Sequence, residues 1–469
     1  MVRADTPLVS LSRSEAVRWY FHLMRDPLRA MLHGRATHGP FFQLPHLRFP
    51  TEPPRKFVVA IGAAFNEEVL HDPATWRTVS IAAAGPRGSA TRRLGMGIIR
   101  LTGRPHAHYR RLLLPPLHRK SVTEMGAQMV RLAEEEVESW PVGDVIDLWA
   151  RVQRILRTLA IGLLFGDDRP RGYSVAELIG QFLDFNWSWK VAACPVSISG
   201  TPYHRMLRVG EQLERSILEW ADCKRGRLDG RDLLSIIVNS PDEDGCPASN
   251  DKIVGHAPTL LAAAYETCQN ALIWTLILLA QHPQVARAVC DELQDSRAGA
   301  PLTFEEIVQL PLLDNVVKES MRMLPPVPLQ FRVAQCDTTL AGHATPQMTR
   351  VALSAFITNR DPDLYPEPAR FKPSRWDSID PSSYEYLVFS AGPRGCPGYW
   401  FGLCAIKTAL AAIFSRYRIV LAPEQRIDYK VRVAMSPRHC VGAILHRQDG
   451  GFVAAPIRGR IRDLVEFPH

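Results

Sequence analysis

One cysteine, Cys396, stands inside Phe389 to Gly398, which reads Phe-Ser-Ala-Gly-Pro-Arg-Gly-Cys-Pro-Gly. So many glycines and prolines in one short stretch preclude a regular helix or strand. Tyr399 to Tyr417 follows as a mostly apolar helix. Cys396 therefore lies in a tight loop that feeds a helix start, where free backbone N–H groups and the helix dipole favour a thiolate. A thiolate held this way is a good soft ligand for iron. The competing reading is a buried structural cysteine. A second chemical pair, Glu266-Thr267, interrupts an otherwise apolar stretch, Ala263-Ala-Tyr-Glu-Thr-Cys268. Burying a carboxylate is costly, so Glu266 is exposed, paired or there for a purpose. Its plain alternative is a solvent-facing Glu beside a Thr that bonds back to the helix. His106 and Arg110, spaced i, i+4, put two cations on one helix face and suit a carboxylate ligand; a solvated basic face would look the same. Glu319 and Arg322, at i, i+3, read alone as an ordinary pair of ~0.3–0.5 kcal/mol.

Taken together, these stretches resemble a known family. Phe389, Gly392, Arg394, Cys396 and Gly398 occupy every fixed position of Phe-x-x-Gly-x-Arg-x-Cys-x-Gly, which is similar to the haem-binding signature of the cytochrome P-450 family, the haem-thiolate monooxygenases. The resemblance implies that Cys396 is the axial iron ligand, that Phe389 packs beside the sulfur and that Arg394 meets a haem propionate. Gly103-Arg-Pro-His106-Ala-His-Tyr-Arg110 resembles the family's Gly-x-x-His-x-x-x-Arg, whose His and Arg bind a propionate. Arg332 falls where the family has another propionate ligand. Glu266 and Thr267 match the family's acid-Thr pair in Ala/Gly-Gly-x-Asp/Glu-Thr-Thr/Ser, with Ala264 replacing the usual Gly and Cys268 the second hydroxyl residue. That pair is implied to relay protons to iron-bound dioxygen, because O–O cleavage needs two protons in a pocket that excludes water. Glu319, Arg322 and Arg375 are implied to form a buried structural triad. Arg375 comes from Phe371-Lys-Pro-Ser-Arg-Trp376, and Pro368-Ala-Arg-Phe371 is a second match. Many relatives place an acid where Ala405 stands.

The elements that must position these residues are mostly helical. A helix is expected over Ser12 to Leu32, a strand over Phe57 to Ile61 and a short helix over Asn66 to His71. Ser80 to Met96 reads as a long loop, which in the family lies over the substrate. Helices follow over Arg119 to Trp140, Ile146 to Phe165, Glu211 to Lys224 and from Arg231. Phe182 to Trp189 carries Phe182, Phe185, Trp187 and Trp189, either core packing or a lid. Gly200 to Arg205 reads as a turn. A long helix should run from an N-cap at Asn250 or Asp251 to about Gln281, with Pro258 near its start. Thr303-Phe-Glu-Glu306 is a capping box and Pro311 opens the next helix. Thr338 to Leu340, Arg350 to Ser354 and parts of Ile427 to Ile457 read as strands.

Composition narrows the class. The 469 residues are ordinary for a globular protein, and the 9 cysteines form no C-x-x-C pair. No signal peptide is evident, and the apolar run Ala271 to Ala280 is shorter than the ~20 residues a bilayer needs. The expectation is a cytoplasmic protein without a membrane anchor. The net charge of +8 suits an acidic protein partner, and no nucleic-acid motif accompanies it.

With motifs in family order from about residue 55 to 447, the resemblance implies one domain over 1–469, mainly α with a minor β region, as a helical prism around one haem b. It implies insertion of one oxygen atom from dioxygen into an apolar fatty acid, terpenoid, steroid or polyketide. Electrons would come from NAD(P)H through a separate ferredoxin or flavodoxin and its reductase, docking on Arg111, Arg119, Lys120 and Lys407 of a monomer. A haem-thiolate peroxygenase or isomerase, or a haem or ligand sensor without catalysis, are the alternatives; the Glu266-Thr267 pair argues against both.

Overall fold

The computed structural model describes residues 6–45, 56–79, 85–166, 168–186, 188, 190–191, 194–227, 230–297 and 301–468. Its axis is the 32-residue helix Asn250–Gln281, about 48 Å long at 1.5 Å per residue. Ser249 caps it, accepting from Lys252 N at 3.4 Å, one residue earlier than the sequence suggests. From Cys268 onward every residue of this helix is buried. That is the behaviour of a segment apolar on all sides. Pro258 lies inside the helix and is accommodated there. Beside it, the chain at Gly97 crosses so closely that a Cβ there would stand 2.3 Å from Gly255 O.

Among the helices that pack on this axis are Leu148–Leu164, Pro202–Asp222, Pro311–Met323 and Tyr399–Phe414. The last is buried without a break from Phe401 to Phe414. A six-stranded sheet forms the smaller region, in the order Val9–Ser10, Phe41–Leu44, Phe57–Ala60, Arg350–Ser354, Leu329–Ala334, Trp76–Thr78. Arg332 rides on its fifth strand, opposite Val351 on one side and Thr78 on the other. A hairpin, Tyr429–Val431 with Met435–Pro437, folds back onto the central helix, and Trp274 Nε1 donates to Met435 O at 2.9 Å. The mainly helical architecture with a minor sheet is the one expected.

Several boundaries differ from the sequence reading, each for a local reason. The first helix breaks into Arg13–Arg25 and Pro27–His38, because Asp26 caps the second and Pro27 supplies no N–H. Trp19 is buried there but Phe21 is exposed. The Arg119–Trp140 segment divides into Arg119–Glu124 and Gly126–Glu138 at Gly126, whose missing Cβ admits the Phe304 ring. Gly200 to Arg205 is no free-standing turn: Thr201 caps the helix that Pro202 begins. The supposed loop before Met96 contains a short helix, Ala90–Leu94, capped by Ser89; residues 80–84 lie outside the described residues, as do Trp187 and Trp189.

Candidate active site around Cys396

The cysteine loop is built by its own backbone. Cys396 N donates to Phe389 O at 2.8 Å and Gly395 N to Gly392 O at 2.9 Å. Gly392 has φ +65°, and a Cβ on it would lie 2.4 Å from Leu70 O, so only glycine lets the loop seat on the helix Ala63–His71. Gly398 caps the helix Tyr399–Phe414 and turns its N–H toward the Cys396 sulfur. The Phe389 ring meets Tyr399 edge-on at 4.7 Å. Cys396 is reachable by solvent yet deeply surrounded by protein, as befits a group on the wall of an internal chamber. Ala263, midway along the central helix, is also exposed although the turns beyond it are buried. Burial pushes the Cys396 thiol up, and the Gly398 N–H and Arg110 only partly offset it. Cys268 is buried against the helix Tyr399–Phe414: its sulfur lies 3.3 Å from where a Gly402 Cβ would stand, and burial with the nearby Cys396 pushes its thiol up to about 12.

Three arginines and a histidine converge beside this loop. His106 and Arg110 sit on the helix Gly103–Leu113, Arg394 on the loop and Arg332 on the sheet. Arg110 Nη2 donates to Gly395 O at 2.9 Å and Arg394 Nη2 to Leu101 O. Arg332 is 5% exposed and donates to Phe331 O at 3.0 Å and Gln330 Oε1 at 3.3 Å. Among the described residues none of the four is paired with a carboxylate. Their electrostatics record the strain: burial, then Arg394 and Arg110, push His106 down to about 4, and burial with Arg394 pushes Arg332 down to about 10.

Glu266 and Thr267 lie one turn along from Ala263. Thr267 Oγ1 donates to Ala263 O at 3.2 Å, the helix back-bond anticipated as the plain alternative. Ala264 and Glu266 are half-buried. Burial raises the Glu266 carboxyl to about 7, against the pull of Arg157 and Lys430. Neither cation was visible in the sequence. Arg157 comes from the helix Leu148–Leu164, where it stacks over Tyr265 at 5.4 Å, and Lys430 comes from the C-terminal hairpin. No local spacing marks either, because each meets Glu266 only through folding.

The Glu319–Arg322–Arg375 group closes completely. Glu319 and Arg322 are fully buried and Arg375 nearly so. Glu319 accepts from Arg322 Nε at 2.9 Å, Arg322 Nη2 at 3.0 Å and Arg375 Nε at 2.9 Å. The surface-pair reading of Glu319 and Arg322 is thereby replaced by a buried network, and the Phe371–Trp376 match for Arg375 is the one the fold uses. Lys407 requires a correction as a docking residue. It is 3% exposed, with its ammonium on Val308 O at 2.6 Å and Asp314 at 3.1 Å. Arg111, Arg119 and Lys120 are exposed, and Arg119 stacks on Trp400 at 4.7 Å. Ala405 is buried. A surface cleft of about 460 Å³ between Pro141–Asp147 and Ala150–Arg154 contains none of these groups.

The family model for cytochrome P-450 matches residues 34–439. The chain belongs to the cytochrome P-450 family. Cyclooctatin synthase of Streptomyces melanosporofaciens is 27% identical over 358 residues, covering 73% of this chain and 77% of that one. Pentalenene oxygenase of Streptomyces avermitilis is 27% identical over 342 residues, covering 70% and 75%. Among solved structures, a retinoic acid bound cyanobacterial cytochrome P-450 superposes with a TM-score of 0.78 at 21% identity, covering 91% and 96%. One from Thermus thermophilus gives 0.69 at 22% identity, covering 94% and 100%. The fold is therefore the cytochrome P-450 fold, and the protein is a cytochrome P-450 monooxygenase.

A cytochrome P-450 carries haem iron and takes electrons from a redox partner and oxygen from dioxygen. The residues present fit that cofactor. A chamber-wall thiol offers a soft ligand, and three arginines with the His106 imidazole, none paired with a carboxylate among the described residues, suit the two carboxylates of a porphyrin. Among the described residues, no helix is long and apolar enough to cross a membrane.

Proposed function

We propose that this cytochrome P-450 hydroxylates an apolar small molecule, with Cys396 as the axial thiolate of a haem b. The overall reaction consumes one dioxygen, two electrons and two protons, and yields hydroxylated substrate and one water. Haem iron, when bound, supplies the oxygen activation, and a thiolate ligand donates electron density that favours O–O cleavage. The chain's own residues do the rest. His106, Arg110, Arg332 and Arg394 hold the propionates, with the loop glycines Gly392 and Gly398 permitting close approach. The pair Glu266 and Thr267 moves protons at the oxygen-binding face: a carboxyl raised to about 7 by burial can both give and regain a proton near neutrality. Ala262, Ala263 and Ala264 leave accessible, apolar surface at the chamber wall.

The convergence of Arg110, Arg332, Arg394 and His106 without a paired carboxylate among the described residues, beside a deep cysteine, carries this reading. Among fatty acids, terpenoids, steroids and polyketides we favour a terpenoid, because pentalenene oxygenase and cyclooctatin synthase are among the relatives. Electrons are proposed to come from NAD(P)H through a ferredoxin or flavodoxin and its reductase, docking at Arg111, Arg119 and Lys120. The larger of two buried clusters draws on residues from Leu11 to Val465, which supports a single domain, and we propose that it acts as a cytoplasmic monomer.

The test is the absorbance of the purified protein, reduced and exposed to carbon monoxide. A strongly red-shifted Soret band, lost in Cys396→Ser, is expected. A band like that of a His-ligated haem, unchanged by the substitution, refutes the assignment.

A further inference from the structure

The helix Gly103–Leu113 carries His106 and Arg110, yet its hold on the core is slight. Of its 11 residues only Tyr109 and Leu113 are buried, and the Thr102 side chain ahead of it makes no capping bond. Tyr109 stacks on buried His256 of the central helix, with ring centroids 3.9 Å apart and 31° between the planes. Neither Tyr109 Oη nor His256 Nδ1 has a hydrogen-bond partner among the described residues, so that contact holds by ring packing alone. A short helix draws most of its stability from tertiary packing, and one with so small an apolar footprint needs other anchors.

Those anchors lie on its far side. Arg104 Nη2 donates to Glu243 O at 2.8 Å, and His108 Nε2 donates to Pro241 O at 3.0 Å, since a carbonyl only accepts. Arg104 and His108 are spaced i, i+4, as are His106 and Arg110. The two pairs are offset by two residues, about 200° round the helix. One face is therefore tied to residues 241–243, and the nearly opposite face presents His106 and Arg110. The anchoring segment is itself fixed. Pro241 and Pro247 form a β-bridge, and Asp242 N donates to Cys246 O at 2.7 Å. Asp242 Oδ1 accepts from Asp244 N at 3.0 Å and Cys246 N at 2.9 Å. Lys252, in the first turn of the central helix, donates to Asp242 Oδ2 and Glu243 Oε2, both at 2.8 Å.

We propose that Arg104 and His108 are positioning residues for the haem. They brace the helix Gly103–Leu113 from behind and so fix His106 and Arg110 toward the propionates. Through Lys252 the brace also ties that helix to the one carrying Glu266 and Thr267. The inference rests on the haem reading given above.

The test compares three proteins with the parent, all haem-loaded: the double variant Arg104→Ala with His108→Leu, the single variant His108→Gln, and Arg110→Ala. The readouts are the rate of haem loss to excess apomyoglobin, the ferric/ferrous reduction potential and the denaturant midpoint. The double variant should lose haem about tenfold faster, the lower end for removing an outer-shell support. Its ferric/ferrous equilibrium should shift about threefold toward ferric, roughly 30 mV at 59 mV per decade, because a looser Arg110 offsets the propionate charge less. His108→Gln keeps an N–H for Pro241 O and should stay near the parent; haem loss as fast as in the double variant overturns the proposal. A lowered midpoint with an unmoved potential makes these contacts ordinary stabilisers and also overturns it. If Arg110→Ala speeds haem loss but the double variant does not, the brace is wrong and the propionate reading stands. If Arg110→Ala leaves haem loss unchanged, the propionate reading fails, and the brace with it.

Discussion

Replacing Arg322 by alanine attacks the junction that ties the cysteine loop to the helical body. Glu319 accepts five hydrogen bonds: two from Arg322, and one each from Arg375 Nε, Lys372 N and Trp376 Nε1. The substitution removes two of them and also frees Asn359 O and Pro368 O, which Arg322 holds at 3.0 and 2.9 Å. Stranding one member of a buried ionic group costs about 3–5 kcal/mol. The lower figure applies here. Arg375 still neutralises Glu319, and buried Arg360, which Arg322 repels, is relieved. Unfolding entropy of roughly 1 kcal/mol/K for a chain of this length turns ~3 kcal/mol into only ~3 °C of Tm. Haem retention is the sharper readout, because the damage propagates. Asn359 uses its backbone carbonyl for Arg322 and its side-chain Oδ1 for Leu387 N at 3.0 Å. Leu387 opens the turn whose Phe389 O receives Cys396 N. The assay is the ratio of Soret to protein absorbance after purification, with a denaturant midpoint beside it. Arg322→Ala should purify with little haem, and Arg322→Lys should rescue poorly, since an ammonium cannot fill the forked site. Parent-level haem and midpoint in Arg322→Ala would refute the coupling.

Other outcomes follow from the same geometry. Thr267→Ala should divert electrons into hydrogen peroxide with haem content unchanged, as read by peroxide and product assays. For Glu266, the folded carboxyl titrates near 7 and the unfolded one near 4.5. Its favourable contribution is therefore complete below pH 4.5 and lost as pH rises through 7, so Glu266→Gln should gain stability over the parent across that window, by ~1–3 kcal/mol in denaturant melts. Lys407→Met should change partner-driven reduction little while lowering the denaturant midpoint, because it removes the donor to Val308 O and one of the two cations on Asp314, leaving Lys318 alone. Arg119→Glu should slow reduction at low salt, with the difference fading at high salt in stopped-flow traces. Gly392→Ala meets both a positive φ and Leu70 O, so haem loading of the purified protein should fall sharply.

How much was legible can be argued residue by residue. The cysteine loop was readable because its requirements are local: glycines where φ or close approach demands them, and a helix start just behind. The capping box at Thr303 and the N1 proline at Pro311 were readable for the same reason. The splits at Asp26-Pro27 and Gly126 were missed, although a cap followed by a proline was a usable signal for the first. The second depends on a Phe304 ring that arrives from a distant segment. Lys407 was misplaced because a lysine in an apolar helix looks like a surface cation until its partner Asp314, far away in the chain, is brought to it.

By itself, the sequence determined the helical class with its minor sheet, the family and the tight loop that carries Cys396, since backbone conformation and motif order act over short spans. The tertiary structure alone decided which charges are paired. Glu319 and Arg322 are spaced like any surface pair, and Arg332 and Arg394 come from elements other than the helix that carries His106 and Arg110. Whether a charge finds a partner, water or a carboxylate-bearing ligand depends on which elements fold against it, and that information is absent from local spacing. The raised carboxyl of Glu266 is a consequence of burial, a property that no residue possesses until the whole chain has packed around it.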